Sequence, residues 1–471
     1  MRYRVENDSL GEKRLPAEAY YGIEALRSKE NFEITKRGIG RQLIKALAYV
    51  KKACAKANQD AGLLDEKKAK AIMLSCDEII NGRLHGQFIT DLIQGGAGTS
   101  INMNANEIIA NRANEMLGGK KGVYDLIHPV DHVNLSQSTN DVIPTAGKIA
   151  VIKQIKKLSV ELKKLQNTCL SKAKEFKDIV KMGRTHLQEA VPMTLGQEFN
   201  AFASVIGRDI KRLDYTMTNL KEVNIGGTTI GTGLNANPVY IKKVVNYLSK
   251  FSGEDLKLSK DLVDVCRNYD CFHQASSSVK ITAANLSKMA TDIRVMSILG
   301  YKGEFEIYLP VVQPGSSNIP GKVNPVVPEV VNQVYYYIIG LDTTISVACE
   351  HSDLELNSNA PVILMSLFEM LQTLRRAVRT FNELCVSGIR ANSEACRREI
   401  EGSVTLSNAL ISHIGYDIAV NVAVQAEKEH RNIKDVIIER GLLSAEEFDL
   451  ITNPLALTQP GIPGQELLDK K

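Results

Sequence analysis

Three widely separated segments carry an apolar residue at alternating steps of three and four: Ile155, Leu158, Leu162, Leu165 and Cys169; Ile206, Ile210, Leu213, Met217 and Leu220; Leu364, Leu367, Leu371, Leu374 and Val378. On an α-helix this spacing lines one face with apolar side chains. Its heptad-like period favours neighbours packed nearly parallel at a small crossing angle, so the segments read as members of a long bundle. Strand signals are few and short, the best being "EIYLPVVQP" at 306–314, and no Gly-rich turn between strand and helix is present to hold a dinucleotide. The expected fold is all-α.

A chain of 471 residues exceeds what one hydrophobic core usually fills. Toward the N-terminus the segments are shorter and broken by "QGGAGTS" and "LGGKKG"; toward the C-terminus a helix ends at Arg440-Gly441 and another begins with the capping box Ser444-x-x-Glu447. These breaks divide the chain into an N-terminal domain at 1–139, a central helical bundle at 140–394 and a small C-terminal domain at 395–471.

Charge narrows the class of partner. The 58 Lys and Arg against 54 Asp and Glu are spread along the chain without basic runs, which argues against nucleic acid or a membrane surface. No run approaches the length of a membrane span, and the start "MRYRVENDSLGEKR" lacks the apolar stretch of a signal peptide, so a cytoplasmic protein is expected. The eight cysteines form no C-x-x-C pair and most sit beside aliphatic residues, the pattern of reduced, partly buried thiols.

Four polar clusters interrupt the helical pattern: "GGAGTS" (95–100), "SQSTND" (136–141), "GRTHLQEA" (183–190) and "GSSNIPGKVNP" (315–325). The last is not a P-loop, since five residues rather than four separate Gly315 from Gly321 and Val323 follows Lys322, nor a G-x-S-x-G elbow. Taken singly, each cluster reads as a turn or a helix cap at the edge of a helix. Together, with Lys322 and Asn324, they supply enough donors to hold carboxylate oxygens without a metal. His186 stands out among the histidines by its place inside such a run.

These four stretches, in this order and spacing, resemble the aspartase/fumarase superfamily, and "GSSNIPGKVNP" looks like its signature loop, usually G-S-S-x-M-P-(A or G)-K-x-N. Within it, "AYYGIEALR" (19–27), "QGGAGTSINMNANEIIANRA" (94–113) and "QSTND" (137–141) look like the aspartase side, whereas fumarases typically carry LWG, GSGT and QSSND. The resemblance implies a three-domain all-α lyase whose central helices join in a twenty-helix core in a homotetramer, with each active site drawn from three subunits. It implies elimination of ammonia from L-aspartate, a small dicarboxylic amino acid, to give fumarate through an enediolate, with no organic cofactor and no metal in the site. By the same resemblance Ser316 is the general base. Thr99, Ser138, Thr139 and Ser317 grip the β-carboxylate, Lys322 and Asn324 the α-carboxylate, and Asn140 and His186 surround the amino group. Thr185 is a further pocket residue, and Glu329 is the carboxylate that pairs with the histidine.

The departures cluster. Ile319, counted with the substrate-binding residues, replaces the usual loop methionine, with Asn318 before it; "EHSDLELNSNAP" (350–361) and "LGYKGEFEIYLP" (299–310) differ from the relatives' E-A-G-Q and S-G-P-R-A-G patterns. They leave open a superfamily lyase acting on a different amine. A fumarate hydratase shares the site and would expel water instead; a recruited structural protein would have no need of Ser316, Lys322 and His186 together.

Overall fold

The computed structural model describes residues 2–298 and 305–469, so the first six residues of the divergent 299–310 stretch lie outside it. The chain forms two compact units: Met1–Val160, Asp209–Ala283 and Tyr336–Arg375 in one, Glu161–Arg208, Ala284–Tyr335 and Arg376–Lys471 in the other. The architecture is all-α. Its longest helices are Thr139–Glu175, Leu195–Leu220, Asp270–Met296, Val326–Glu350 and Ala360–Leu384.

The apolar stripes fall on these helices as expected. Ile155, Leu158, Leu162, Leu165 and Cys169 are completely buried, and Leu364 through Val378 are nearly so. The middle stripe is buried at Ile206, Leu213 and Leu220 and half-buried at Ile210 and Met217. Each fully buried leucine contributes about 1.5–3 kcal/mol of transfer free energy, so the stripes supply much of the drive to fold. All eight cysteines are free thiols, and seven of them are buried. No helix among the described residues is long and apolar enough to cross a membrane.

In the first unit a buried asparagine ladder organises the loops. Asn102, Asn104, Asn106, Asn111 and Asn114, on the helix Thr99–Met116, are all within 2% of complete burial. A buried amide needs partners, and Asn104 and Asn114 find theirs in the connecting segments at 87–89 and 126–127. Asn104 accepts the Ile89 N–H at 2.9 Å and donates to the Gln87 carbonyl at 3.1 Å; Asn114 donates to the Ile127 carbonyl at 2.6 Å and accepts the Ile127 N–H at 3.1 Å. Glu107, on the same helix, caps another: its carboxylate accepts N–H groups of Gly22, Glu24 and Ala25 at 2.8–3.2 Å, at the start of Ile23–Asn31. A Cβ on Gly22 would lie 2.6 Å from Glu107 Oε1, which accounts for the glycine in "AYYGIEALR".

The second unit departs from the sequence expectation in one respect. "GRTHLQEA" is not a helix edge: it is the tip of an antiparallel hairpin, Val180–Thr185 paired with Gln188–Thr194. A second unexpected hairpin, Tyr3–Asp8 with Gly11–Pro16, lies in the first unit. The strand expected over "EIYLPVVQP" shrinks to Ile307–Tyr308, paired with Arg390–Ala391. Met182 of the 180–194 hairpin is buried in the C-terminal core with Ile400, Leu410, Val422, Val436, Phe448 and Ile451. The capping box at Ser444 and Glu447 is present, and Gly441 takes a left-handed backbone after the preceding helix.

Burial pushes the Glu107 carboxyl up to about 8 from an ordinary 4.5, against its N–H donors. A carboxyl raised on folding stabilises below its unfolded value, and that contribution is lost as pH rises through the folded one. Urea unfolding of Glu107→Gln should therefore lose less stability than the wild type between pH 4.5 and about 8; parallel curves for the two would contradict it.

Candidate active site

In the first unit, Ser138 begins the helix Thr139–Glu175. Its hydroxyl accepts the Asn140 N–H at 3.3 Å while its own N–H donates to Asp141 Oδ1 at 3.0 Å, a reciprocal cap with aspartate in the place of the usual glutamate. Thr139 is buried, and its hydroxyl accepts Asn102 Nδ2 at 3.4 Å, so the asparagine ladder reaches the cluster. Thr99 starts the neighbouring helix after Gly98, and its hydroxyl donates to the Gly96 carbonyl at 2.8 Å. Close packing joins the two helix starts: a Cβ on Gly98 would lie 3.2 Å from Ile143.

A fifth hydroxyl-rich run, "GGTTIGTG" at 226–233, completes this arrangement and was not among the sequence candidates. Asp141 Oδ2 accepts the N–H groups of Gly226 at 3.0 Å and Thr228 at 3.1 Å, and Asn140 Nδ2 donates to the Thr229 carbonyl at 2.7 Å. Pro144, inside the helix, has no N–H for the Asn140 carbonyl. The Asn224 side chain donates to that carbonyl instead, at 3.0 Å. Its three threonines among four glycines are the composition that marked the other clusters, and could have found it.

Lys51 lies completely buried beneath the cluster, donating to Asn134 Oδ1 and Gln137 Oε1, both at 2.9 Å. Burial pulls its ammonium down to about 8 and pushes the Asp141 carboxyl up to about 7, the latter opposed by its three backbone donors.

In the second unit, Thr185 ends its strand and His186-Leu187 form the two-residue turn, pairing Thr185 with Gln188. Both turn residues have positive φ, 55° and 64°. A tight hairpin demands this, and asparagine and glycine usually supply it; a residue with a Cβ pays roughly 1–2 kcal/mol at each position. Thr185, His186 and Leu187 are exposed. The hairpin is anchored behind the turn: Arg184 pairs with Glu306 and Glu399, and Lys181 with Glu306 at 2.6 Å and Glu198 at 2.8 Å. A cavity of about 170 Å³ beside this ionic network is lined by Lys181, Arg184, Leu187 and Glu306.

The loop 315–325 is closed at its base. Gly315 N–H donates to the Lys322 carbonyl at 2.7 Å, and Asn324 Nδ2 to the Gly315 carbonyl at 2.8 Å. Gly321 takes the left-handed backbone at φ 77°; Gly315 does not, and is required for another reason, since its Cβ would lie 2.7 Å from the Lys322 carbonyl oxygen. Ser316 is half-buried, with Ser317, Ile319 and Lys322 exposed around it. Two backbone N–H groups, from Asn318 at 3.3 Å and Ile319 at 3.1 Å, donate to Ser316 Oγ. Glu329, in the first turn of Val326–Glu350, lies 3.9 Å from Arg294, and among the described residues neither it nor any other hydrogen-bonds the His186 ring. The expected histidine–carboxylate pair is not formed within this chain.

The residues thus form two sets, Thr99, Ser138, Thr139 and Asn140 in one unit, and Thr185, His186 and the loop in the other. Both are rich in donors. Among the described residues no group of three His, Cys, Asp or Glu is placed to hold a metal ion.

A family model described as "Lyase" matches residues 11–340, and one described as "Fumarase C C-terminus" matches residues 406–459. The chain is 47% identical over 468 residues to the aspartate ammonia-lyase of Bacillus subtilis strain 168, covering 99% of this chain and 98% of that protein. It is 44% identical over 459 residues to the aspartate ammonia-lyase of Helicobacter pylori strain J99, covering 97% and 98%. Among solved structures, fumarate lyase:delta crystallin from Brucella melitensis, bound to cobalt, superposes with a TM-score of 0.95 at 45% identity, over 98% of this chain and 100% of that one. The class II fumarase of Schistosoma mansoni superposes at 0.93 with 32% identity over the same shares. Fold and matched regions together define an all-α lyase. The chain belongs to the aspartase/fumarase superfamily, and is similar to its carbon–nitrogen lyases.

Asp141→Ala would leave three backbone N–H groups without an acceptor at the junction of the 139–175 helix and the 226–233 loop. Each orphaned donor costs about 1–3 kcal/mol. A loss of at least about 3 kcal/mol in urea unfolding is expected, and a change below about 1 kcal/mol would mean the junction does not depend on this carboxyl.

Proposed function

We propose that the protein is an ammonia-lyase that converts L-aspartate reversibly to fumarate and ammonia. The observation that carries the reading is the loop: a serine hydroxyl with two backbone N–H groups already aimed at its oxygen, next to an exposed lysine. Those donors are what a serine needs to act as a base, because they stabilise its alkoxide.

Ser316 gives its proton to water, and the alkoxide takes a proton from Cβ of aspartate. The electron pair of that C–H bond moves into the β-carboxylate, making an enediolate with a second negative charge on the same oxygens. Thr99, Ser138, Thr139 and Ser317 are the proposed donors to those oxygens, each able to contribute about 3–4 kcal/mol where water is excluded. The pair then forms the Cα–Cβ double bond as the Cα–N bond breaks, and the ammonium group leaves as ammonia. Lys322 and Asn324 hold the α-carboxylate, Asn140 and His186 surround the amine, with His186 oriented by Glu329, and Ile319 and Thr185 line the pocket. No metal or organic cofactor takes part in this scheme.

We further propose a homotetramer with sites shared between chains, built on the division 1–139, 140–394 and 395–471. The five long helices per chain are the number that a twenty-helix core of four chains requires. A Glu329 of one chain and a His186 of another would also explain why the pair is absent within one.

Two measurements test this. Fumarate absorbance should rise when the protein meets L-aspartate and not when it meets L-malate; malate turnover exceeding aspartate turnover would favour a hydratase, and turnover of a bulkier amino acid alone would favour a different amine substrate. Mixing inactive Ser138→Ala and Ser316→Ala chains after dissociation should restore part of the activity. An active monomer by light scattering would overturn the shared site.

A further inference from the structure

The Ser316 oxygen is fully engaged before any substrate arrives. Besides accepting the Asn318 and Ile319 N–H groups, its hydroxyl donates to Asn318 Oδ1 at 2.9 Å. A serine hydroxyl has one donor and two acceptor sites, so these three contacts saturate it. Ionisation changes what the neighbours must supply. The two backbone N–H groups become stronger partners, but a carbonyl oxygen 2.9 Å away now faces a negative oxygen and repels it. A carboxamide can reverse this without leaving its place, because half a turn about its last torsion exchanges Oδ1 for Nδ2–H.

We propose that Asn318 is a positioning residue for Ser316: its carboxamide oxygen accepts the hydrogen bond of the serine O–H while the serine is neutral and, turned over, the carboxamide donates Nδ2–H to the alkoxide beside the two backbone donors. The proposal rests on the reading of Ser316 as the base. Asn318 is not needed to hold the loop in shape, since Gly315 with Lys322 and Asn324 with Gly315 close it independently. Nor does it serve the core, being exposed. Water reaches the pair from that exposed side, so the proton released by Ser316 has an exit. Asn318 makes no covalent bond and retains its protons; it changes only how readily the serine gives one up.

The test is the pH dependence of aspartate deamination by the full-length protein and two loop variants. Asn318→Leu removes both the acceptor and the donor, and Asn318→Asp keeps the shape but offers only acceptors and adds charge. The acid limb of kcat/KM reports the essential base. Losing one charge-assisted donor should move that limb up by about one unit in Asn318→Leu, about a tenfold loss near pH 7 that recovers as pH rises. Asn318→Asp should move it further, and the calorimetric dissociation constant for aspartate should stay within about twofold in both, since no carboxylate grip is touched. Profiles that superimpose on the wild type would overturn the inference, as would weakened binding with an unmoved limb. Ser316→Ala separates the two ideas: if it keeps deaminating aspartate, the base reading has failed; if it is inactive while the Asn318 profiles superimpose, only the role of Asn318 falls.

Discussion

One buried carboxylate fixes the geometry on which the hydroxyl cluster depends. Asp141 accepts three backbone N–H groups, one from Ser138 at the start of its own helix and two from the loop at Gly226 and Thr228. Its charge is expensive to bury, and the three donors are what offset it. The result is a rigid junction between a helix N-terminus and a glycine-rich loop. Asn140 and Asn224 reinforce it from either side, one donating to the Thr229 carbonyl and the other filling the acceptor that Pro144 leaves open. A helix start also favours negative charge, so an anionic substrate group set against Ser138 and Thr139 would meet backbone as well as hydroxyl donors.

The residues that make the chain look like its relatives do two different jobs. Gly22 and Glu107, in "AYYGIEALR" and "QGGAGTSINMNANEIIANRA", meet each other as a helix cap, and the asparagines of the second motif tie irregular segments to one helix. None of these needs to touch substrate. The divergent stretch 350–361 reads the same way: Asn357 donates to the Ala348 and Cys349 carbonyls and Asn359 to the His351 carbonyl, capping the end of the Val326–Glu350 helix. That departure is a helix end, whereas Asn318 and Ile319 lie in the loop itself.

The helical stripes were legible because burial on one face leaves a period in the sequence, and all three stripes fall on long helices. The hairpins were not. Tyr3–Asp8 carries a charged residue at every second position and Gly11–Pro16 three in a row, and only Glu6 and Leu15 are buried along them, so no apolar period marks the strands. The 180–194 hairpin turns at His186-Leu187, a pair that carries none of the usual turn chemistry, because the turn is held by the ion pairs of Lys181 and Arg184 behind it. At Gly315 the close approach of the Lys322 carbonyl, rather than an unusual φ, excludes a side chain, a constraint that leaves no mark in the local sequence. The candidate site residues were readable only as clusters, since hydroxyls and amides cap helices everywhere.

The central claim is that the Ser316 oxygen moves the Cβ proton while other residues hold the carboxylates. Deuterium exchange at Cβ of aspartate in heavy water, measured for Ser316→Ala alongside its calorimetric affinity, tests it most directly. The variant should still bind aspartate, and its exchange should fall to background. Exchange near the wild-type rate would place the base elsewhere, with His186 the next group to examine, and would contradict the assignment.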